Sequence, residues 1–243
     1  MKPAKLEKSI GYSFKSPELL ERALTHRSWA HENIGGEHEE KMREAENESL
    51  EFVGDSVLGL AIAEQLFRKH PTLSEGDLTL MKHRLVSTPT LALIAAGLEL
   101  GDHLRMSRGE EKTGGREKPA ILADTLEAVI AAVFFDSGYV EARALIARLF
   151  ADEIKDATPK ASVDYKTLLQ ETLQAAKLAA PVYSLLSTDG PPHERTFHVA
   201  ASWESGRSEG TGSSIKAAEM MAASRALKAI EDADGNSPKR TES

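Results

Sequence analysis

The stretch Asn47–Ser56, NESLEFVGDS, together with its continuation VLGLAIAEQLF, decides the fold of the first two thirds of the chain. Drawn as a helix it is apolar on almost every side, which is typical of a helix inside a protein core. Glu48, Glu51 and Asp55 nevertheless fall within about 60° of one another around the helix axis. A buried carboxylate is costly unless it is neutralised, paired with a cation or bound to a metal. The way in which these acids are satisfied therefore decides the chemistry.

A second apolar helix is predicted over AILADTLEAVIAAVFF, from about Ala120 to Phe135, with a stop at Gly138. Asp124 and Glu127 stand at i and i+3 and are its only charges. Two such helices, packed together, would point their carboxylates at hard divalent cations, and oxygen ligands suit Mg²⁺ or Mn²⁺. The alternative is that the acids pair with Lys or Arg or reach solvent at helix ends.

A di-iron helical bundle is a rival metal site, and it would need Glu-x-x-His pairs. None of the eight histidines has a glutamate three positions before it. The sequence therefore excludes this class of metal protein.

Composition excludes several other classes of protein. The 243 residues include no cysteine, so disulfides, thiolate zinc sites and cysteine nucleophiles are absent. The amino terminus lacks the apolar block of a secretory signal, and the longest apolar run, AVIAAVFF, is too short to span a membrane. We expect a cytoplasmic protein with no membrane partner. The net charge of −8 by itself argues against a nucleic-acid partner.

Changes in composition along the chain predict two domains. Residues 1–155 are predicted to be helical, with helix starts at Ser16-Pro17 and at Ser74. Residues 156–163, DATPKASV, have the composition of a linker. Residues 164–231 predict an α-β-β-β-α unit, and residues 232–243 a disordered tail. The predicted fold class is thus an all-α domain followed by a small α+β domain.

The first domain resembles the catalytic domain of ribonuclease III. NESLEFVGDS is similar to the signature of that family, and three further segments match it in order and approximate spacing: ALTHRS from Ala23, EGDL from Glu75 and ILADTLEA from Ile121. The resemblance implies a magnesium-dependent endoribonuclease that is specific for double-stranded RNA. It covers nearly the whole chain.

The resemblance also implies roles for particular acids. Glu51, Asp124 and Glu127 would be magnesium ligands, and Asp55 and Glu127 the residues most important for the chemistry. Three further acids fall at positions where the family has acids associated with metal or substrate: Glu48, Glu75 and Glu110. Glu110 lies in a charged, glycine-rich segment, where a solvated acid without a functional role is an equal alternative.

The implied reaction is hydrolysis by water at a pair of Mg²⁺ ions, for which Mn²⁺ can substitute, leaving a 5′-phosphate and a 3′-hydroxyl. Because each chain carries one such domain, cutting both strands requires a homodimer. Phe52 resembles the family's aromatic residue that inserts across the dimer interface, although it could also be a plain core residue. The implied substrates are ribosomal RNA precursors and structured messenger and transfer RNA precursors.

The second domain resembles the double-stranded RNA-binding domain. Polar residues of its first helix would contact minor-groove 2′-hydroxyls, and a histidine in the turn GPPHERTF would enter the next minor groove. The start of its last helix, in GTGSSIKAAE, would bind phosphate. The RNA-binding residues implied in this way are Thr167, Gln170, Glu171, Gln174, His193, Ser213, Ser214 and Lys216.

Two features depart from the family pattern. Ile215 stands where a basic residue is usual, and residues 164–231 carry 7 Lys and Arg against 8 Asp and Glu, a net charge of −1. We therefore expect modest affinity for duplex RNA, with avidity from dimerisation. The charged stretch His31–Glu46 is longer than usual and has no assigned role.

Two other classes of function are compatible with the residues alone. One is a protein that binds duplex RNA without cutting it. The other is a helical protein whose acids serve only its structure.

Overall fold

The computed structural model describes residues 3–35, 39–191 and 195–235, in two compact units, Met1–Ser162 and Val163–Ser243. In the described part of the first unit all regular structure is helical, apart from one isolated bridge between Thr25 and Arg105. The helices are α1 Pro3–Ile10, α2 Pro17–Ala23, α3 Arg27–Ile34, α4 Glu39–Ala45, α5 Glu48–Lys69, α6 Glu75–Leu85, α7 Thr88–Gly97, α8 Leu100–His103, α9 Arg108–Lys112, a 3-10 turn Gly115–Glu117, α10 Pro119–Ser137, α11 Tyr139–Leu149, α12 Ala151–Asp156 and α13 Pro159–Ser162.

Local signals explain where several of these helices begin and end. The Ser74 side chain accepts a hydrogen bond from the backbone N–H of Asp77 at 3.1 Å and so caps α6. Helix α10 begins with Pro119, whose missing N–H costs nothing at a first helical position. It ends at Gly138, whose φ of +83° is accessible to glycine but strained for other residues.

The core of the first unit lies where α5 packs against α10. Leu58 and Ile62 of α5 and Leu126 and Ile130 of α10 are fully buried there. Gly54 sets the separation of the two helices, because a Cβ atom at this position would lie 1.9 Å from the carbonyl oxygen of Glu127. The α5 backbone therefore lies directly against the α10 backbone at the level of the acidic residues.

Helix α5 is not buried on all sides, and the prediction of a core helix was wrong in this respect. Phe52, Leu60 and Phe67 are 76%, 58% and 64% exposed. Glu48 and Asp55 are also exposed. Hydrophobicity alone could not separate the face that packs on α10 from an apolar face on the surface.

The second unit has the predicted α-β-β-β-α order: α14 Tyr165–Ala175, β1 Val182–Asp189, β2 Thr196–Trp203, β3 Gly206–Gly212 and α15 Ile215–Gly235. The strands form an antiparallel sheet in the order β1-β2-β3, and α15 contacts β2, β3 and α14. Leu169 and Leu173 of α14 pack with Ala223 and Ala226 of α15 in its small core. The predicted fold class is confirmed for both units.

Two boundaries can be compared with the sequence. The predicted linker, residues 156–163, contains the short helix α13, which packs against α6. Helix α15 continues to Gly235, four residues beyond the predicted end of the second domain. Residues 236–243 of the predicted tail lie outside the described residues.

The contact at Gly54 gives a test of the packing. We expect Gly54→Ala to lower the free energy of unfolding by about 3 kcal/mol or more, because the added methyl group collides with backbone that cannot rotate away. Urea denaturation measures the change. Gly97→Ala is the matched control, since it also adds a methyl group to a helical glycine but has no heavy atom within 4 Å of the new Cβ. Equal effects of the two variants would contradict a packing role for Gly54.

Candidate metal centre and binding surfaces

Three carboxylates from two helices meet at the α5–α10 contact. One oxygen each from Glu51, Asp124 and Glu127 lies within 4.8 Å of the other two, and all three side chains are half-buried. Neighbouring ligands of an octahedral Mg²⁺ lie about 3.0 Å apart and opposite ligands about 4.2 Å apart, so modest side-chain rotations would bring all three carboxylates onto one ion. The close backbone approach at Gly54 makes this convergence possible.

The three carboxylates destabilise one another's charged forms. Burial, followed by the negative charges of Asp55, Glu51 and Asp124, raises the pKa of Glu127 to about 8. Burial, with the charges of Asp124 and Glu48, raises the pKa of Glu51 to about 7. Burial also raises the pKa of Asp124 above its usual range. Without a cation, the cluster thus retains protons near neutral pH.

This donor set fits a hard divalent cation. It offers only carboxylate oxygens, which are the ligands that Mg²⁺ and Mn²⁺ prefer. None of the three carboxylates is ion-paired with a Lys or Arg among the described residues, and the nearby charge of Arg27 offsets only part of their mutual repulsion. A bound divalent cation would relieve it.

Asp55 lies beside this cluster but is not part of it. It is exposed, and its charge contributes to the raised pKa of Glu127. It lines a separate groove of about 300 Å³ between α5 and α6. No hydrogen bond or ion pair within the described part of the chain engages its carboxylate, which leaves it available to bind water.

The other predicted acids have different surroundings. Glu48 and Glu110 line an open cleft of about 1210 Å³ together with Glu51 and Asp124. Each is ion-paired: Glu48 with Arg27 at 3.0 Å, and Glu110 with Lys118 at 2.5 Å. Each of these carboxylates thus has a cation of the cleft as its direct partner, while the charge of Glu48 also raises the pKa of Glu51 and Asp124.

Glu75, the remaining predicted acid, is exposed at the first turn of α6 and is not among the residues that line the cleft. Sequence reasoning missed Arg27 and Lys118 as residues of the cleft. The sequence signals for them are that Arg27 is part of the THRS segment and that Lys118 stands three residues before ILADT.

The second unit carries a groove of about 580 Å³ between α14 and α15. It is lined by Thr167 and Gln170 from α14 and by Ile215 and Lys216 from α15. Glu171 and Gln174 are exposed on α14, and Ser213 and Ser214 are exposed just before α15. His193 lies outside the described residues.

One contact joins the two helices that line this groove, and a second caps the start of α15. Lys166 Nζ donates to Glu219 at 2.6 Å and lies 4.6 Å from the centre of the Tyr183 ring. The Ser214 hydroxyl accepts a hydrogen bond from the backbone N–H of Ala217 at 3.1 Å and caps the last helix. Because Lys166 is neutralised by Glu219, the charge of Lys216 dominates the cationic character of this groove.

Comparisons with known proteins agree with both units. Residues 16–154 match the family model "Ribonuclease-III-like", and residues 165–230 match "Double-stranded RNA binding motif". "Ribonuclease 3" of Nitratidesulfovibrio vulgaris is 44% identical over 229 residues, which cover 93% of this chain and 87% of the relative. "Ribonuclease 3" of Streptomyces coelicolor is 47% identical over 239 residues, covering 97% and 83%.

The first unit is also similar to solved structures. The nuclease domain of ribonuclease III from Campylobacter jejuni aligns with a TM-score of 0.55 at 42% identity, covering 61% of this chain and 93% of that domain. A second structure of that domain, described as having structural flexibility in a region involved in dimer formation, aligns with the same score and identity over 61% of this chain and 96% of its own.

The raised pKa values predict opposing effects of pH and Mg²⁺ on stability. In the unfolded chain Glu51 and Glu127 ionise near 4.5, whereas in the fold they keep their protons to about 7 and 8. Their contribution to stability is therefore complete below about pH 4.5 and is lost as the pH rises to 8. Thermal unfolding without metal should show this loss, and Mg²⁺ should raise Tm more at pH 8 than at pH 5.5.

Glu127→Gln tests the assignment of this pH dependence. The neutral amide should raise the metal-free Tm at pH 8 by roughly 3–6 °C, about 1–2 kcal/mol after allowance for solvent screening, and should abolish most of the gain from Mg²⁺. Asp152→Asn, at an exposed acid of α12, is the matched control. A Glu127→Gln protein that responds to Mg²⁺ like the control would contradict the assignment.

Proposed function

The chain belongs to the ribonuclease III family, and we propose that it hydrolyses duplex RNA with Mg²⁺ held by Glu51, Asp124 and Glu127. It is an endoribonuclease specific for double-stranded RNA. The observation that carries the magnesium proposal is the convergence of three half-buried carboxylates within 4.8 Å. Mn²⁺ has similar ligand preferences and would substitute.

The three cluster carboxylates and Asp55 have different roles in the proposed hydrolysis. Glu51, Asp124 and Glu127 would hold and orient the Mg²⁺ ion. When bound there, the ion would supply an activated water and offset the charge that develops on the phosphate. Asp55, whose carboxylate is exposed and unengaged in the described structure, accepts a hydrogen bond from the attacking water and directs it. The products are a 5′-phosphate and a 3′-hydroxyl.

The RNA backbone enters the cleft past two cations. Arg27 and Lys118 line it, and each forms an ion pair that uses only part of its donor capacity. Glu48 and Glu110 therefore act by holding these cations in place. We assign no step to Glu75.

Exposed apolar residues of α5 support a homodimer. Phe52, Leu60 and Phe67 fall within about 80° of one another around the helix and are all more than half exposed. An exposed apolar surface of this kind is typical of an interaction site. The exposure of Phe52 argues against a plain core residue and supports its insertion into a second copy of the chain. Two copies supply the two sites needed to cut both strands.

The second unit supplies further contacts with the duplex. Thr167, Gln170, Glu171 and Gln174 present polar side chains on α14, while Ser213, Ser214 and Lys216 form the phosphate-binding start of α15. The domains are assigned as residues 1–155 and 164–231. No helix within the described residues is long and apolar enough to cross a bilayer. A cytoplasmic location and a role in processing ribosomal, messenger and transfer RNA precursors follow from the family and belong to the same proposal.

Two neutralising variants test the catalytic assignment. Asp55→Asn and Glu127→Gln should each lower the single-turnover cleavage rate of a labelled duplex by about 100-fold or more in Mg²⁺, because one loses a water-orienting acceptor and the other a metal ligand. Binding of the duplex in Ca²⁺ should fall much less than the cleavage rate, since neither substitution alters Arg27, Lys118 or the second unit. Asp152→Asn should cut at the wild-type rate.

Each alternative function predicts a different outcome of this experiment. A wild-type protein that binds duplex RNA but yields no product with Mg²⁺ would identify an RNA-binding protein without cleavage activity. Full cleavage by both catalytic variants, with raised melting temperatures, would identify acids that serve only the structure.

Residue 215 tests the RNA-binding assignment. Ile215→Lys should strengthen duplex binding at low salt and steepen the dependence of log K on log salt concentration by about 0.9, because it adds one phosphate contact. Lys216→Ala should make the dependence shallower by a similar amount. Lys228→Ala, at an exposed position further along α15, serves as the control. A wild-type slope as steep as that of a strongly basic domain would contradict the expected modest affinity.

A further inference from the structure

The groove between α5 and α6 contains a basic residue that the proposed chemistry does not yet use. Lys82 extends from α6 into the groove of about 300 Å³ that also contains Asp55. Its neighbours on α6, Met81 and Leu85, are buried in the core, and they fix the side of the helix from which Lys82 projects. The groove does not share residues with the cleft that contains Glu51 and Asp124.

A glycine in α5 makes room for this side chain. A Cβ atom on Gly59 would lie 3.4 Å from Lys82 Nζ and 3.5 Å from its Cε. The end of the lysine therefore lies directly over the backbone of α5. Gly59 is one helical turn beyond Asp55, which corresponds to about 6 Å along the helix axis.

Lys82 has no counter-charge in the described part of the chain. It is half-buried, yet no ion pair or hydrogen bond engages its ammonium group, although Asp55 lines the same groove. Arg27 and Lys118, the cations of the neighbouring cleft, are both neutralised by glutamates. A partly desolvated ammonium without a partner favours binding of an anion.

The polar lining of the groove indicates which anion would fit. Thr79 of α6 contributes a hydroxyl group, which can donate to phosphate oxygens, and His83 is exposed beside Lys82. Ser56 and Leu60, which also line the groove, lie on the face of α5 proposed above for the homodimer, so the phosphate would enter from the α6 side. If the scissile phosphate lies at the acidic cluster, a neighbouring phosphate of the same strand would reach Lys82, whose ammonium group lies over Gly59, one helical turn of α5 beyond Asp55. We propose that Lys82 binds the phosphate adjacent to the scissile bond and so positions the RNA strand for attack.

Lys82 is thus a substrate-positioning residue for the reaction proposed above, and this inference rests on that reaction. Lys82 binds a neighbouring phosphate of the strand, whereas Asp55 orients the attacking water. Losing it should therefore impair cleavage more than it impairs overall binding, because the second unit supplies contacts of its own.

Phosphate-by-phosphate substitution of the RNA provides a direct test with the wild-type protein. In a duplex with one cleavage site, a single neutral methylphosphonate is placed in turn at each position flanking the scissile bond. Single-turnover cleavage in Mg²⁺ should fall about 10- to 100-fold at one adjacent position, the loss expected for one charge-assisted contact. Lys82→Met should cut the unmodified duplex more slowly by a similar factor and should show no further loss at that position.

Matched variants and a second readout distinguish a phosphate contact of Lys82 from a purely structural role. Lys82→Arg should restore part of the rate, and Lys8→Met, at an exposed lysine of α1, should behave as the wild type. Equal methylphosphonate penalties in the wild type and in Lys82→Met would overturn the inference. Sedimentation velocity provides the second readout. If the only defect of Lys82→Met were loss of the dimer, the groove would be covered by a second copy of the chain and the inference would also be overturned. A wild-type protein that cuts no duplex would instead contradict the proposed function itself.

Discussion

The close contact between the α5 and α10 backbones at Gly54 is the constraint on which the site depends. An α-helix bearing any side chain at this position would stand further from its neighbour, since a Cβ would lie 1.9 Å from the Glu127 carbonyl oxygen. A wider spacing would separate Glu51 from Asp124 and Glu127, whose oxygens now lie within 4.8 Å. The glycine of the signature therefore has a geometric role: it converts two acidic helices into one set of ligands.

That geometry is unfavourable without a cation. Carboxylates that lie close together in a partly buried site repel one another, which is why the pKa values of Glu51 and Glu127 rise to about 7 and 8. The same repulsion makes the site attractive to a divalent cation. The protein pairs Glu48 and Glu110 with Arg27 and Lys118, whereas within the described residues the three central carboxylates have no ion pair and keep raised pKa values. An acidic chain can therefore act on RNA, because binding depends on where its cations and ligands lie rather than on the net charge of −8.

Much of the fold could be predicted because its signals are local. Helix ends depend on the residues within a few positions of them, as at the Ser74 cap of α6 and at the proline and glycine that begin and end α10. The runs that form β1 and β2 were also recognisable from their β-prone residues and from the turn residues between them. The glycine-rich segment of β3 has little β propensity, and its place in the sheet comes from its pairing with β2. The exposure of α5 could not be predicted in this way, because Leu60 and Leu58 are identical as residues and differ only in what packs against them.

The sequence by itself determined which acids share a helical face and which residue types could serve as ligands, since the helical repeat and side-chain chemistry are properties of the local chain. Only the tertiary structure decided which of these acids converge. Glu51 joins two residues more than seventy positions away, Asp55 faces a different groove, and Glu48 and Glu110 turn to nearby cations. The reason is physical: ion pairing and ligand convergence depend on distances of a few ångströms between separate helices, and these distances arise only when the helices pack.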